Sequence, residues 1–399
     1  MSSFEDDSLA SDFPLFRLAF RPFFLFGASF SLLAMAVWIA TLNGWWDSPL
    51  YGGGFFWHVH EMVFGFVASI VVGFLLTAVR NWTGRDSISG LPLVVLVSLW
   101  LLARIGFLVV HRADIWLASL DISFLLVAAG FLAIPIVSVR QWRNLFFVPL
   151  LVLLAVANGM MHLGVLNMDH MLMVNGAHGA LGLICILMVT IGGRIIPPFT
   201  ASGTGTARVA ALPWLERVAV GSVWLLMLVF LTGLDGRLPG PAMAALLMIV
   251  ATANFVRWLR WRFWVTFGVV LLWTLHLAYL FIVAGFFLLA LSWIDPDVPS
   301  SIAWHSITVG GMGGLILSMI SRVSLGHTGR AIVAPSWMIP AHACVFAAAV
   351  SRTALVAWLP TRYGVWLDLS GTLWILAFGS FVACYSTLLM KPRVDNQPG

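Results

Sequence analysis

The sequence predicts an all-α, polytopic membrane protein of about twelve transmembrane helices. Three observations predict it. Hydrophobic residues make up 61% of the 399 residues and charged residues only 9%, against roughly 25% charged in soluble domains. The apolar stretches are close to the about 20 residues that cross a bilayer as helix. The loops between them alternate in basic charge, as cytoplasmic and external loops do.

The predicted spans are 23–42, 56–79, 91–110, 115–138, 145–166, 172–193, 213–234, 240–258, 264–292, 302–323, 335–359 and 364–390. They make one integral membrane domain over 1–399, with an N-terminal segment 1–22, a twelve-helix bundle 23–390 and a tail 391–399. Phe13 to Phe24 interleaves Arg17 and Arg21 with phenylalanines, the pattern of an interfacial helix whose arginines reach headgroups. Before it, Glu5, Asp6, Asp7 and Asp12 are the opposite of a basic signal-peptide start. No cleavable leader is expected, and the first apolar helix stays as a span. Pro197 and Pro198 are expected to end span 6.

Orientation follows from the loops. One side carries Arg17, Arg21, Arg80, Arg85, Arg140, Arg143, Arg194, Arg208, Arg217, Arg257, Arg260, Arg262, Arg322, Arg330, Lys391 and Arg393, and the other only Arg112, Arg237 and Arg362. The positive-inside rule places both termini in the cytoplasm of a bacterial inner membrane. The net charge of +5 is spread over loops with no patch, so nucleic acid is excluded as a partner. Cys185, Cys344 and Cys384 lie in apolar stretches without a CxxC and suggest neither disulfides nor a thiolate metal site. A CxxCH motif is absent, so any haem is held non-covalently. There is no Walker sequence; Gly311, Gly313 and Gly314 read as close helix packing.

The chemistry is concentrated in ten histidines. His58 and His60 enter span 2, His162 ends span 5, His170 and His178 enter span 6, and His305 enters span 10. These six lie near the outer face, and His276 lies near mid-membrane. Ionisable groups inside a bilayer are costly. Several imidazoles at one depth on separate helices is the pattern of a metal or haem site built between facing helices. At about 100° per residue, His58, Glu61, Gly65, Ser69 and Gly73 share one face, where small residues admit another helix or a flat cofactor. On the same reckoning His60 points about 140° from Gly65, toward a neighbouring helix or the outer water. Asn158 and His162, four residues apart, face one neighbour, and Asn175 shares a face with His178.

An internal repeat aligns three of these helices. Residues 57–85 (WHVHEMVFGFVASIVVGFLLTAVRNWTGR) and 304–330 (WHSITVGGMGGLILSMISRVSLGHTGR) both open on Trp-His and close on Thr-Gly-Arg. Residues 177–194 (AHGALGLICILMVTIGGR) again run from His to Gly-Arg. Spans 2, 6 and 10 are four helices apart, which predicts a pseudo-threefold arrangement of four-helix units.

The segments PLFRLAFRPFFLFG (14–27), WHVHEM with GFLLTAVRNWTGR (57–85), GAHGALG with IGGRIIPPFT (176–200) and WH with SRVSLGHTGR (304–330) resemble the NnrS family over most of the chain. That resemblance implies a bacterial inner-membrane protein containing haem and copper, with a part in nitric oxide metabolism and protection from nitrosative stress. The layout also resembles the haem-copper oxidases, in which twelve helices form three arcs. Span 7 here has no histidine and span 10 contributes His305 alone, so an ordinary oxidase site cannot be written onto this chain.

The function expected is a haem b protein, with copper, that binds nitric oxide from the lipid bilayer and converts it in the manner of a reductase. Its electron donor is unidentified. His58, His178 and His305 are the main haem or copper ligands. His60 and His276 are further cofactor candidates, and His162 and His170 further metal candidates. Glu61 and Asp169 are the proton-carrying groups of the catalytic step. The alternative is a transporter or metal-handling helper in which Arg104, Asp121, Arg352 and Asp368 line a polar path. A sensor that binds nitric oxide without turnover is a third reading.

Overall fold

A computed structural model describes residues 13–395. The acidic residues Glu5, Asp6, Asp7 and Asp12 lie outside the described residues. No strand occurs among the described residues. Twelve helices are long and apolar enough to cross a membrane: α1 (Phe20–Leu42), α2 (Gly54–Thr83), α3 (Gly90–Val109), α4 (Ile115–Ser138), α5 (Trp142–Leu166), α6 (His170–Thr204), α7 (Pro213–Leu231), α8 (Gly240–Arg260), α9 (Val270–Ser292), α10 (Ser300–His327), α11 (Met338–Trp358) and α12 (Pro360–Met390). Each coincides with one predicted span. The chain is therefore a multi-pass membrane protein, and hydrophobicity over helix-length windows is what made it legible.

The chain forms two compact units. The first holds the chain up to Ala180, Val323–Ile332 and the chain from Phe381; the second holds Leu181–Arg322 and Val333–Ser380. In the first unit, α1 lies close against α2 because small residues face it. A side chain on Gly27 would meet Ser69 Oγ at 2.5 Å, and one on Gly73 would meet Phe23 Cβ at 2.7 Å. The shared face of Gly65, Ser69 and Gly73 thus receives a helix. Thr77 Oγ1 accepts the Phe20 N–H at 2.9 Å, a donor left over at the start of α1.

Arg21 differs from expectation. It is fully buried in the first turn of α1 rather than reaching headgroups. Its Nη1 donates to the carbonyls of Leu389 and Lys391 at 2.8 and 2.7 Å. The last carbonyls of a helix lack intrahelical partners, and a guanidinium satisfies two of them at once.

In the second unit, the glycine run of α10 is a packing device. A side chain on Gly311 would meet Ile282 of α9, one on Gly313 Trp374 of α12, and one on Gly314 both Phe346 of α11 and Ala278 of α9, all within 3 Å. The proline pair also differs from expectation: α6 runs through Pro197 and Pro198 to Thr204. The cost of interior proline is a lost donor and a stranded carbonyl. The carbonyls that lose their usual intrahelical donor to Pro197 and Pro198 are those of Gly193 and Arg194. One turn earlier, Arg257 Nη1 donates to Val189 O at 2.8 Å, and its guanidinium occupies the space where a Gly193 side chain would stand.

Three segments depart from α-helical winding: Glu61–Val67 in α2, Ser306–Gly313 in α10 and Ser351–Leu355 in α11 are π-helical. Such turns insert one residue into the helical count and favour functional sites. Those in α2 and α10 follow directly on the histidine-bearing turns Gly54–His60 and Ser300–His305. The equivalent histidine of α6 lies in uninterrupted α-helix.

Close packing of α5 on the start of α6 generates a prediction. A side chain on Gly176 would sit 2.7 Å from Ala157 O and 2.9 Å from Met161 N, both rigid backbone. Gly176→Val is expected to cost about 1–3 kcal/mol, read as a lower unfolding temperature in detergent. Wild-type stability would mean that the two helices are not in contact.

Candidate metal centre

The first unit buries a polar cluster at the end of α2 that adjoins the 43–53 loop. It is assembled from four helices and that loop: His60 and Glu61 of α2, Arg104 of α3, Asp121 of α4, Asn158 and His162 of α5, and Tyr51. None is more than 2% exposed. Burying this many polar groups requires that each find partners.

Arg104 ties the charges together. Its Nη1 donates to Glu61 Oε1 at 3.1 Å and its Nη2 to Asp121 Oδ1. A guanidinium presents donors in a fixed fork and suits two carboxylates better than a point charge would. Phe107 lies beneath it, 5.1 Å from its central carbon. No side chain stands at Gly65, where a Cβ would come within 3.0 Å of Arg104 Nη1, and the Gly65 carbonyl accepts from Trp100 Nε1 at 2.9 Å. That glycine admits the arginine to the cluster.

The two imidazoles converge on Asp121. His60 Nε2 lies 3.2 Å and His162 Nε2 3.4 Å from Asp121 Oδ2. His60, Asp121 and His162 form the one group among the described residues whose donor atoms could hold a metal ion, all within 4.8 Å of one another. Metal–ligand bonds of about 2.0–2.1 Å in a tetrahedral shell place neighbouring ligand atoms roughly 3.3 Å apart. The two Nε2–Oδ2 spacings match that figure, and the group as a whole spans up to 4.8 Å. Asn158 Oδ1, 2.8 Å from His60 Nε2, offers a fourth donor. Its Nδ2 donates to Asp121 Oδ2 at 2.6 Å, which fixes the orientation of the amide.

The far nitrogens are held from outside, as in metal sites where an outer partner sets the tautomer. His60 Nδ1 is 2.8 Å from Glu61 Oε1. His162 Nδ1 is 3.2 Å from the Tyr51 hydroxyl. Burial raises the Tyr51 phenol above its ordinary pKa, so it stays protonated and its rotor serves either tautomer of His162. Phe56 stacks on His60 at 5.0 Å, and Phe64 and Phe107 both lie at 5.1 Å. These rings exclude water and lower the local dielectric.

Both ring nitrogens of His60 face acceptors, Glu61 on one side and Asn158 and Asp121 on the other. The cluster sets two carboxyl groups against the one guanidinium of Arg104.

The candidates named from sequence are distributed as follows. His60, Glu61 and His162 are in the cluster. His58, on the preceding turn, is half-buried and stacks on Trp38 at 4.4 Å. His178 is half-buried in the first unit. His170 and Asp169 are exposed, and Asp169 Oδ1 accepts the Leu172 N–H at 3.0 Å, closing the start of α6. His305 and His276 belong to the second unit. His305 Nδ1 bonds Ser301 O at 2.6 Å, and His276 Nε2 bonds Thr200 Oγ1 at 2.8 Å.

Phase reasoning favoured His58 over His60 as the inward residue, whereas His60 is the fully buried one. The π-helical segment beginning at Glu61 invalidates a constant 100° step along α2. The i, i+4 pairing of Asn158 and His162 toward one neighbour is as read from sequence. Arg104 and Asp121, read there as lining a polar path, are paired in the cluster instead. Tyr51 carried no sequence signal, because its role depends on loop placement.

In comparisons with known proteins, the NnrS family, described as NnrS protein, matches residues 14–393, nearly the whole chain. No curated protein matches.

Arg104→Leu leaves Glu61 and Asp121 buried without their counter-charge and is expected to cost about 3–5 kcal/mol. Arg104→Lys keeps the charge but loses the fork and falls between. Denaturation of the two variants in micelles checks this; equal stability of Arg104→Leu and wild type would mean the carboxylates are not charged together.

Proposed function

We propose that this chain, which belongs to the NnrS family, is a bacterial inner-membrane metalloprotein that binds nitric oxide and reduces it, with a copper ion held by His60, Asp121 and His162. Family membership suggests a role in nitric oxide-related processes. The observation that carries the reading is the His60–Asp121–His162 group, buried where two carboxyl groups stand against one guanidinium. Two imidazoles, a carboxylate and the Asn158 amide oxygen are an N,O donor set of the kind copper(II) accepts. Positive-inside charge supports cytoplasmic termini and an outer-face position for the cluster.

Copper, when bound, supplies one-electron chemistry and a position for a small diatomic ligand. The protein's own residues prepare that position. Arg104 donates to Asp121 and fixes its carboxyl group. Glu61 holds the His60 Nδ1 proton on Oε1, while its Oε2 is buried with no hydrogen-bond partner among the described residues. That oxygen is available to accept or deliver a proton. Nitric oxide is apolar enough to arrive through the bilayer, and the aromatic ring wall admits it while excluding water. Reduction of two nitric oxide molecules to nitrous oxide and water consumes two electrons and two protons, and the electrons come from an external donor.

Haem b is the second cofactor in the proposal. The candidate ligands are His58 and His178 within the first unit and, separately, His305 and His342 within the second. His342 is fully buried, its Nδ1 bonds Met338 O at 2.6 Å, and its Nε2 is buried without a partner among the described residues. An anchored Nδ1 with an open Nε2 is the arrangement in which histidine ligates haem iron. Haem supplies a further redox-active iron.

An absorption spectrum of purified protein, oxidised, reduced, and reduced with nitric oxide, taken with metal analysis, tests the reading. A b-type spectrum that shifts with nitric oxide is expected, together with copper that is lost in His60→Ala and haem that is lost in His342→Ala. A colourless, metal-free protein from haem- and copper-replete cells would overturn it and leave a transporter.

A further inference from the structure

We infer that Arg352, in the second unit, binds a small planar oxyanion of carboxylate or nitrite type at the place that a protein carboxylate fills in the first unit. The inference stands on a second copy of the cluster's framework. Trp57, His58, Arg104 and Asp121 recur as Trp304, His305, Arg352 and Asp368. His58 to Arg104 is 46 residues and His305 to Arg352 is 47; Arg104 to Asp121 is 17 and Arg352 to Asp368 is 16. Counting from Gly90 of α3 and Met338 of α11, Arg104 and Arg352 are both the fifteenth residue of their helix. Both copies place a π-helical segment directly after the histidine-bearing turn. Within each unit, the α2 or α10 limb packs against the helix that carries the arginine: residues 61–67 against α3, and residues 300–305 against 351–355.

The copies differ where the chemistry was. In register with His60 and Glu61 stand Ile307 and Thr308. Ile307 is fully buried against Gly285 of α9. The Thr308 hydroxyl is spent on Trp304 O at 2.9 Å. The second copy has thus lost the carboxylate that pairs with Arg104 Nη1 in the first. Arg352 is retained all the same. It is 9% exposed, its guanidinium neighbours the Tyr363 hydroxyl, and its Nη1 is buried with no hydrogen-bond partner among the described residues. Its central carbon lies 5.7 Å from the centre of the Tyr363 ring.

A buried guanidinium nitrogen without an acceptor is costly. Two oxygens in a plane match the guanidinium fork, so formate, acetate and nitrite share the required shape and charge, and spherical chloride does not. Leu359–Tyr363, at the junction of α11 and α12, is exposed, and Tyr363 lies beside the arginine. The inference is independent of the metal chemistry proposed for the first unit.

The test is thermal unfolding of the purified full chain at constant ionic strength, titrated separately with formate, nitrite and chloride. Wild type is expected to show a saturable rise in unfolding temperature with formate and nitrite and none with chloride. Arg352→Gln is expected to raise the half-saturating concentration about tenfold or more, the scale of one charge-assisted hydrogen bond. Thr308→Glu restores the missing carboxylate and is expected to be more stable without anion and unresponsive to it. No response in wild type, or an Arg352→Gln response equal to wild type, overturns the inference. If Arg352→Gln does not fold, Thr308→Glu decides: loss of the response supports the site, and an unchanged response overturns it.

Discussion

The Arg104 bridge between Glu61 and Asp121 is the interaction on which the candidate site depends. A carboxylate in a membrane interior is tolerated only with a partner, and here one guanidinium from α3 serves carboxylates from α2 and α4. Fixing those carboxylates fixes the imidazoles, because His60 leans on Glu61 and both Nε2 atoms turn to Asp121. Lipid on the outside leaves no water to substitute for a lost partner. Tight packing around the bridge, with Gly65 open on one side and Phe107 on the other, follows from the same demand.

The second unit solves a similar problem differently. Arg257 is buried, and its Nε donates to Glu216 Oε1 at 2.9 Å while Nη1 reaches Tyr279 at 3.1 Å and the α6 backbone. Tyr279 in turn donates to Asn254 at 2.6 Å. No histidine side chain among the described residues bonds to this network. It braces α6, a helix that contains two prolines, and is a structural use of a buried arginine. The two arginine networks show why a buried charge alone does not mark a metal site. Converging imidazoles with outer partners on their far nitrogens are what make the first unit's cluster the candidate.

The spans were legible in the sequence because bilayer thickness imposes a length and composition on each of them separately. The packing role of Gly311, Gly313 and Gly314 was legible for the same reason: a helix surface of small residues is a local property. The histidine that faces inward was not legible. Choosing between His58 and His60 required the winding of α2, and the π-helical turn at Glu61 is a product of tertiary packing with no local signature. Arg104 and Asp121 are visible in the sequence as charges within spans, but α3 and α4 had to be placed side by side before they became partners. Arg21 was misread because Arg between phenylalanines looks the same whether it reaches lipid headgroups or the open carbonyls at the end of α12.

The central claim is that the buried cluster is a metal centre with two imidazole ligands. X-ray absorption at the copper edge of the copper-loaded protein tests it most directly. The account predicts two imidazole nitrogens with further oxygen at about 2.0 Å, and one imidazole fewer in His162→Ala at unchanged folding. A copper signal with no imidazole scattering, or one that is identical in wild type, His60→Ala and His162→Ala, would contradict it.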